Sequence, residues 1–207
     1  MVIINIRLTK LIDKVVGKPL CFVIGKCVRK NSNSVAFLQF FGLGESLLTL
    51  PAIRMFKEKN PSKHLTIICT ERNKEVYESV GFVDEMITLS FNPLWIVFFM
   101  MKNLTRYDQV YDFEEYLNIS ALIASFIGKE TVGFDHGERA ELYSRTVYLD
   151  DNKHFVLNFC DLAGVSPSRD LVPLPFSKDD EKMVESFVKN RNHIVGLFPG
   201  MAESAKW

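Results

Sequence analysis

FLQFFGLGESLLTLPAIRMF (Phe37–Phe56) joins an apolar run to a helical one through Gly42-Leu43-Gly44, with the carboxylate of Glu45 at the junction. Val35 to Phe40 is nearly continuous in apolar residues, as a strand covered on both faces must be. The residues after the glycines have helical character through about Lys59. Glycines at such a junction let the backbone approach a ligand, and the helix N-terminus offers free N–H groups and positive potential. An acid in the first helical turn is also favoured by the dipole alone. Both readings of Glu45 stay open on these residues. Pro51 removes a helical hydrogen bond, so the helix either begins near Thr49 or bends at Pro51, leaving Gly42–Leu48 as an irregular turn.

Outward from this junction the pattern repeats. Strand-like runs at His64–Cys69, Glu85–Leu89, Asp108–Asp112 and Glu130–Phe134 alternate with helical stretches at Asn73–Val80, Pro93–Asn103 and Leu117–Ile127. Such alternation means βαβ units and a parallel sheet. The fold class is α/β, a Rossmann-like doubly wound sheet. Beyond Asp135 the pattern loosens, with a strand expected at Thr146–Leu149 and a helix at Lys153–Ala163, capped or packed by His154. The Pro-rich SPSRDLVPLPFS then reads as a linker. A helix over Asp179–Lys189 and a strand over His193–Phe198 open a second α/β unit. The expected organisation is an extension over 1–33, a Rossmann-like domain over 34–176 and the start of a further domain over 177–207.

The 207 residues carry no net charge, yet the charge is uneven. Residues 1–30 hold seven Lys/Arg against one acid, Asp13. Arg7, Lys10, Lys14 and Lys18 recur at spacings of three and four, opposite Leu8, Leu11, Ile12 and Val15. This extension reads either as an amphipathic helix packed on the body or as one lying on an anionic membrane. The aromatic-rich LWIVFFMM (Leu94–Met101) is too short to span a bilayer, which needs about 20 residues. It is either core or a lipid-facing surface. Cys21, Cys27, Cys69 and Cys160 lack metal-ligand spacing and read as reduced, packed thiols of a cytoplasmic protein. Neither a complete GxGxxG nor a P-loop motif is present, and no metal site or cofactor is expected. Nucleic acid is not an expected partner.

The run GLGESLLTLPAIRMFKEKNPSKHLTII resembles the LGxxGDxLLTxPALRxLKxxxPxAxIT region of the heptosyltransferases, glycosyltransferase family 9. The likeness continues through VGFVDEMITL, YDQVYDFE, VGFDHGERAELYSRTV and the C-terminal VGLFPGMAESAKW. The resemblance implies the N-terminal half of a GT-B enzyme with two Rossmann-like domains facing a cleft. It implies metal-independent, inverting transfer from a nucleotide sugar, typically ADP-heptose, to lipopolysaccharide core or a related glycolipid. The expected location is the cytoplasm, either free or peripheral on the cytoplasmic face of the inner membrane. Glu45 becomes the candidate general base, where the family commonly carries Asp. Gly42, Gly44, Thr49, Asp112 and Arg139 become candidate acceptor contacts, and Gly200, Ser204 and Lys206 candidate donor-phosphate contacts.

Glu114 and Glu115 could also line the cleft, although a solvated loop suits both, and Arg145 could meet anionic acceptor groups. Two rival readings remain. One is a noncatalytic interaction module that keeps the acceptor-domain fold. The other is a different nucleotide-binding Rossmann enzyme, for which Glu71 is the only acid placed to hold a ribose.

Overall fold

A computed structural model describes residues 33–40, 42–166, 172–173, 177–189 and 194–196. The expected extension, both ends of the expected His193–Phe198 strand and Gly200, Ser204 and Lys206 fall wholly or mainly outside these residues, and the described residues 194–196 are not in a strand. The chain forms two compact units, Met1–Leu174 and Pro175–Trp207.

The first unit runs β1 (Ser34–Leu38), α1 (Leu43–Lys59), β2 (His64–Cys69), α2 (Lys74–Glu78), β3 (Glu85–Thr88), α3 (Pro93–Lys102), β4 (Tyr107–Asp112), α4 (Asn118–Ile127), β5 (Gly128–Phe134), a 3-10 turn (Glu138–Leu142), β6 (Arg145–Val147) and α5 (Phe155–Ala163). Six strands form one sheet in the order β3-β2-β1-β4-β5-β6. Every pairing is parallel. β1 is central, with Leu38 opposite Ile68 on one side and Asp112 on the other. All five of its residues are buried, which is why its sequence reads as a continuous apolar run.

Period-two alternation divides the strand side chains between two cores. Val35, Phe37, Leu65 and Ile67 meet α1, α2 and α5 on one face. Ala36, Leu38, Ile68 and Val110 meet α3 and α4 on the other. Phe37 stacks between Tyr111 and Phe113 at centroid distances of 5.0 and 5.2 Å, with the edge of Phe56 against it at 5.2 Å. These contacts fasten α1 to the centre of the sheet.

Pro51 does not delay the start of α1. The helix begins at Leu43 and continues through Pro51, so the expected irregular turn over Gly42–Leu48 is not present. Ser46 N–H donates to Gly42 O at 2.9 Å and so closes the first turn. His154 caps α5 by accepting from Val156 N–H at 3.3 Å, and Gly164 ends that helix in the left-handed region at φ 65°. In the second unit, α6 (Lys178–Val188) starts with a capping box. Ser177 Oγ accepts from Asp180 N–H at 3.0 Å, and Asp180 accepts from Ser177 N–H at 3.1 Å.

Two glycines of the first unit have opposite steric demands. A Cβ on Gly133 would lie 2.2 Å from ring carbons of Tyr143, whereas one on Gly44 meets nothing within 4 Å. Gly133→Ala should therefore lower the unfolding free energy by roughly 1–3 kcal/mol through overpacking. Gly44→Ala, inside α1, should raise it by roughly 0.5–1 kcal/mol. Urea melts of the two variants check the opposite signs.

Candidate functional site

In an open parallel sheet, ligands bind beyond the carboxyl ends of the strands, where the helices switch faces. Here the switch lies between β1, whose helix packs on one face, and β4, whose helix packs on the other. The β1 end carries Gly42, Gly44 and Glu45, and the β4 end carries Asp112, Glu114 and Glu115.

Gly42 has φ 75° and ψ 101°, which a residue with a Cβ rarely adopts. Space gives a second reason for glycine. A Cβ there would sit 2.6 Å from Glu45 Oε2, because the Glu45 side chain folds back over Gly42. Glu45 is exposed and occupies the third position of α1, within the first turn. Partial burial of its carboxyl, with the negative charge of Glu115 nearby, raises its pKa above the ordinary value. A carboxylate at a helix start with raised basicity can accept a proton at neutral pH.

The turn is held by a buried polar network. Ser46 Oγ donates to Gly42 O at 2.9 Å and accepts from Asn73 Nδ2 at 2.8 Å. Asn73 Nδ2 also donates to Gln39 O at 2.9 Å, and its Oδ1 accepts from Thr70 N–H at 3.0 Å. Thr70 Oγ1 donates to Phe40 O at 2.8 Å. From β4, Glu114 accepts from Phe40 N–H at 2.5 Å. Glu114 is buried and not the solvated loop acid expected from its sequence, while Glu115 is half-buried.

Thr49 lies inside the protein, donating to Ser46 O at 2.7 Å and paired with the Tyr77 hydroxyl at 3.1 Å. Asp112 and Arg139 are likewise interior and face each other at 2.8 Å. Asp112 Oδ2 accepts further from Ser120 Oγ and Tyr143 OH, both at 2.6 Å. Asp112 Oδ1 accepts from Glu114 N–H at 3.0 Å. Burial pushes the Asp112 carboxyl up, against the pull of the Arg139 guanidinium and the two hydroxyls. Of the acceptor candidates, only Gly42 and Gly44 stand open to solvent beside Glu45; Thr49, Asp112 and Arg139 lie beneath that surface.

Sequence reasoning missed Asn73 and Glu114 as the anchors of the turn. Asn73 had one visible signal, a small amide just before a helical run. Glu71 lies on the surface and pairs with Lys74 at 2.7 Å. Among the described residues no cluster of three or more His, Cys, Asp or Glu could hold a metal ion. No described helix is long and apolar enough to cross a membrane. Beside the Gly42 turn, the ends of β2 and β3 frame a groove of about 380 Å³ lined by Thr70, Glu71, Arg72, Thr88, Leu89, Ser90 and Phe91. Phe91 reaches back to meet Phe40 edge-on at 5.3 Å.

No family model and no curated protein matches the sequence. Solved structures do. The glycosyl transferase family 9 structure from Veillonella parvula DSM 2008 aligns with a TM-score of 0.62 at 16% identity, over 75% of this chain and 48% of its own. The E. coli heptosyltransferase WaaC with ADP aligns at 0.56 and 18% identity, over 66% and 49%. E. coli ADP-heptose lps heptosyltransferase II aligns at 0.55 and 14% identity, over 76% and 51%. The chain spans about half the length of these structures. The first unit has the Rossmann-like α/β fold found in these GT-B glycosyltransferases.

The buried pair at the end of β4 is open to a direct test. Arg139→Met leaves the Asp112 carboxylate buried without its cation and should cost roughly 3–5 kcal/mol. Adding Asp112→Leu should recover part of that loss, because no uncompensated charge remains although Glu114 N–H and the Ser120 and Tyr143 hydroxyls lose this acceptor. Urea unfolding of the single and double variants measures the coupling.

Proposed function

We propose that this chain provides the acceptor-side half of a glycosyltransferase related to the heptosyltransferases of glycosyltransferase family 9. The reaction moves a sugar from a nucleotide-sugar donor of the ADP-heptose type to lipopolysaccharide core or a related glycolipid. The observation that carries this reading is Glu45, an accessible carboxylate of raised basicity at the switch point of the sheet. The fold shared with the heptosyltransferases and the ordered motifs from Gly42 to Lys206 support it.

In the proposed step the acceptor hydroxyl gives its proton to Glu45 as its oxygen bonds to the anomeric carbon. The bond from that carbon to the diphosphate breaks, and the nucleoside diphosphate leaves with the electron pair. Attack opposite the leaving group inverts the anomeric centre, and no metal takes part. Gly42 and Gly44 keep side chains out of the acceptor's path. The groove lined by Glu71 and Arg72 takes a more distant, polar part of the acceptor. Asp112, Arg139 and Thr49 position the turns from below. Gly200, Ser204 and Lys206, assigned on the motif alone, stabilise the departing phosphate.

The test uses the chain joined to, or mixed with, a donor-binding domain, with ADP-heptose as donor and heptose-deficient lipopolysaccharide as acceptor. ADP release is followed. Glu45→Gln keeps the shape but cannot take a proton, so kcat should fall by about 100- to 10,000-fold, with KM little changed. Turnover at the parental rate would reduce Glu45 to a partner of the helix dipole and sink the assignment.

The pH dependence offers a second check. The base works deprotonated, so activity should rise with pH through the raised pKa of Glu45. Glu115→Gln removes a like charge and lowers that pKa. The acid limb of kcat/KM should therefore move to lower pH, an outcome that a merely structural Glu115 would not produce.

A further inference from the structure

The outer surface of a Rossmann-like layer is ordinarily polar. On one face of this sheet α1 obeys that rule, with Arg54, Lys57, Glu58 and Lys59 in its last two turns. On the opposite face α3 (PLWIVFFMMK) and α4 (NISALIASFI) pack against each other. Their twenty residues contain one charged side chain, Lys102, and no carboxylate. In α3, Ile96 and Phe99 point inward, while Leu94, Trp95 and Phe98 are 82%, 56% and 53% exposed. Val97 and Met101 continue the outward stripe, and Leu122 and Phe126 extend it one turn apart on α4. Trp95 and Phe98 lie against each other at 5.2 Å. Beside them a recess of about 450 Å³ has Ile87, Leu89 and Phe99 among its walls, with Lys102 and the Glu85–Arg106 ion pair also lining it.

We propose that the outward face of α3 and α4 docks on a phospholipid bilayer containing anionic lipids. Exposed aromatic and aliphatic side chains with a flanking lysine, on two helices that carry no carboxylate, match the headgroup boundary, where such helices bury about 5–10 Å deep. The one acid beside them, Glu85, is paired with Arg106 at 2.8 Å. Tryptophan favours that boundary because its ring is apolar and its N–H is polar. A second copy of the chain is a poorer occupant. Two ten-residue helices side by side offer a footprint of about 15 by 20 Å. Stable protein interfaces bury about 800 Å² per partner. The surface stands on its own residues; its use, presenting a membrane-borne acceptor to the Glu45 turn, rests on the proposed transferase reading. α3 starts on the edge of the sheet that carries that turn, and Phe91 just before it touches Phe40.

The experiment is co-sedimentation of the full chain with sucrose-loaded vesicles of phosphatidylethanolamine and phosphatidylglycerol, with no sugar donor present. Binding and sugar transfer can then fail separately. Trp95→Gln combined with Phe98→Gln changes only exposed side chains and should lower the partition coefficient at least about tenfold. Arg54→Gln with Glu58→Gln, on the opposite helix layer, should leave it unchanged. In a Trp207→Phe background, Trp95 fluorescence should shift to the blue on binding and be quenched by brominated lipid, a readout independent of the folding of the double variant. Unchanged partition in the double variant, or no quenching of Trp95, would overturn the proposal. So would a dimer in sedimentation equilibrium that the double variant dissociates while vesicles bind neither protein.

Discussion

The change of helix side between β1 and β4 is the constraint on which the rest of the structure depends. Parallel neighbours whose helices leave in opposite directions cannot cover the gap between their carboxyl ends, so a crevice forms there. That gap would let the two turns drift apart without a tie across it. Hydrogen bonds supply it: Phe113 N–H just beyond β4 donates to Leu38 O at 3.0 Å, and Phe40 N–H just past β1 donates to the buried Glu114 carboxylate. Asp112 holds the same β4 turn by accepting from Glu114 N–H. The Asp112–Arg139 pair thereby connects the crevice to the β5–β6 side of the sheet. Its cost is desolvation of two charges, offset only because Ser120 and Tyr143 complete the coordination of the carboxylate.

The layer pattern was legible in the sequence because parallel strands buried on both faces leave continuous apolar runs separated by helices. β1, β2 and β4 are where those runs place them, and the edge strand β6 lies at Arg145–Val147 within the looser region. The destination of individual polar residues was harder to read. Asp112 and Arg139 are 27 residues apart, and only the folded chain shows that they pair. Thr49 could have been read correctly. Ser46, Thr49, Leu50 and Ile53 fall at helical spacing, and all four are buried on the inward side of α1. Pro51 obscures that spacing, because a proline there suggests a helix that has not yet begun.

Proline inside α1 has a physical context that makes it tolerable. It is the ninth residue of α1, past the first four N–H groups that lack intrahelical partners, so it removes the ladder donor that would otherwise pair with Leu47 O. The turn before it is reinforced by side chains. Ser46 Oγ bonds to Gly42 O, and Thr49 Oγ1 bonds to Ser46 O. Asn73 anchors Ser46 from outside the helix. The first two turns of α1 are therefore held as much by tertiary contacts as by their own backbone ladder, which keeps Glu45 at a fixed place.

The choice of glutamate over aspartate at position 45 can be understood from the same geometry. A longer side chain would ordinarily carry its carboxylate about 1.5 Å further from the helix, and misplacement of about 1 Å can cost a catalytic group heavily. Here the side chain does not extend. Both its Cβ and its carboxyl group lie close over Gly42, within 3.0 Å of where a Cβ on that glycine would be. The extra carbon is taken up in the curl, and the carboxylate stays at the helix start. That arrangement requires the empty space above Gly42, so the glycine and the glutamate form one unit: a side chain at 42 would displace the carboxylate as well as strain the backbone. On the proposed reading, the position of the base is set by the absence of a neighbouring side chain as much as by its own length.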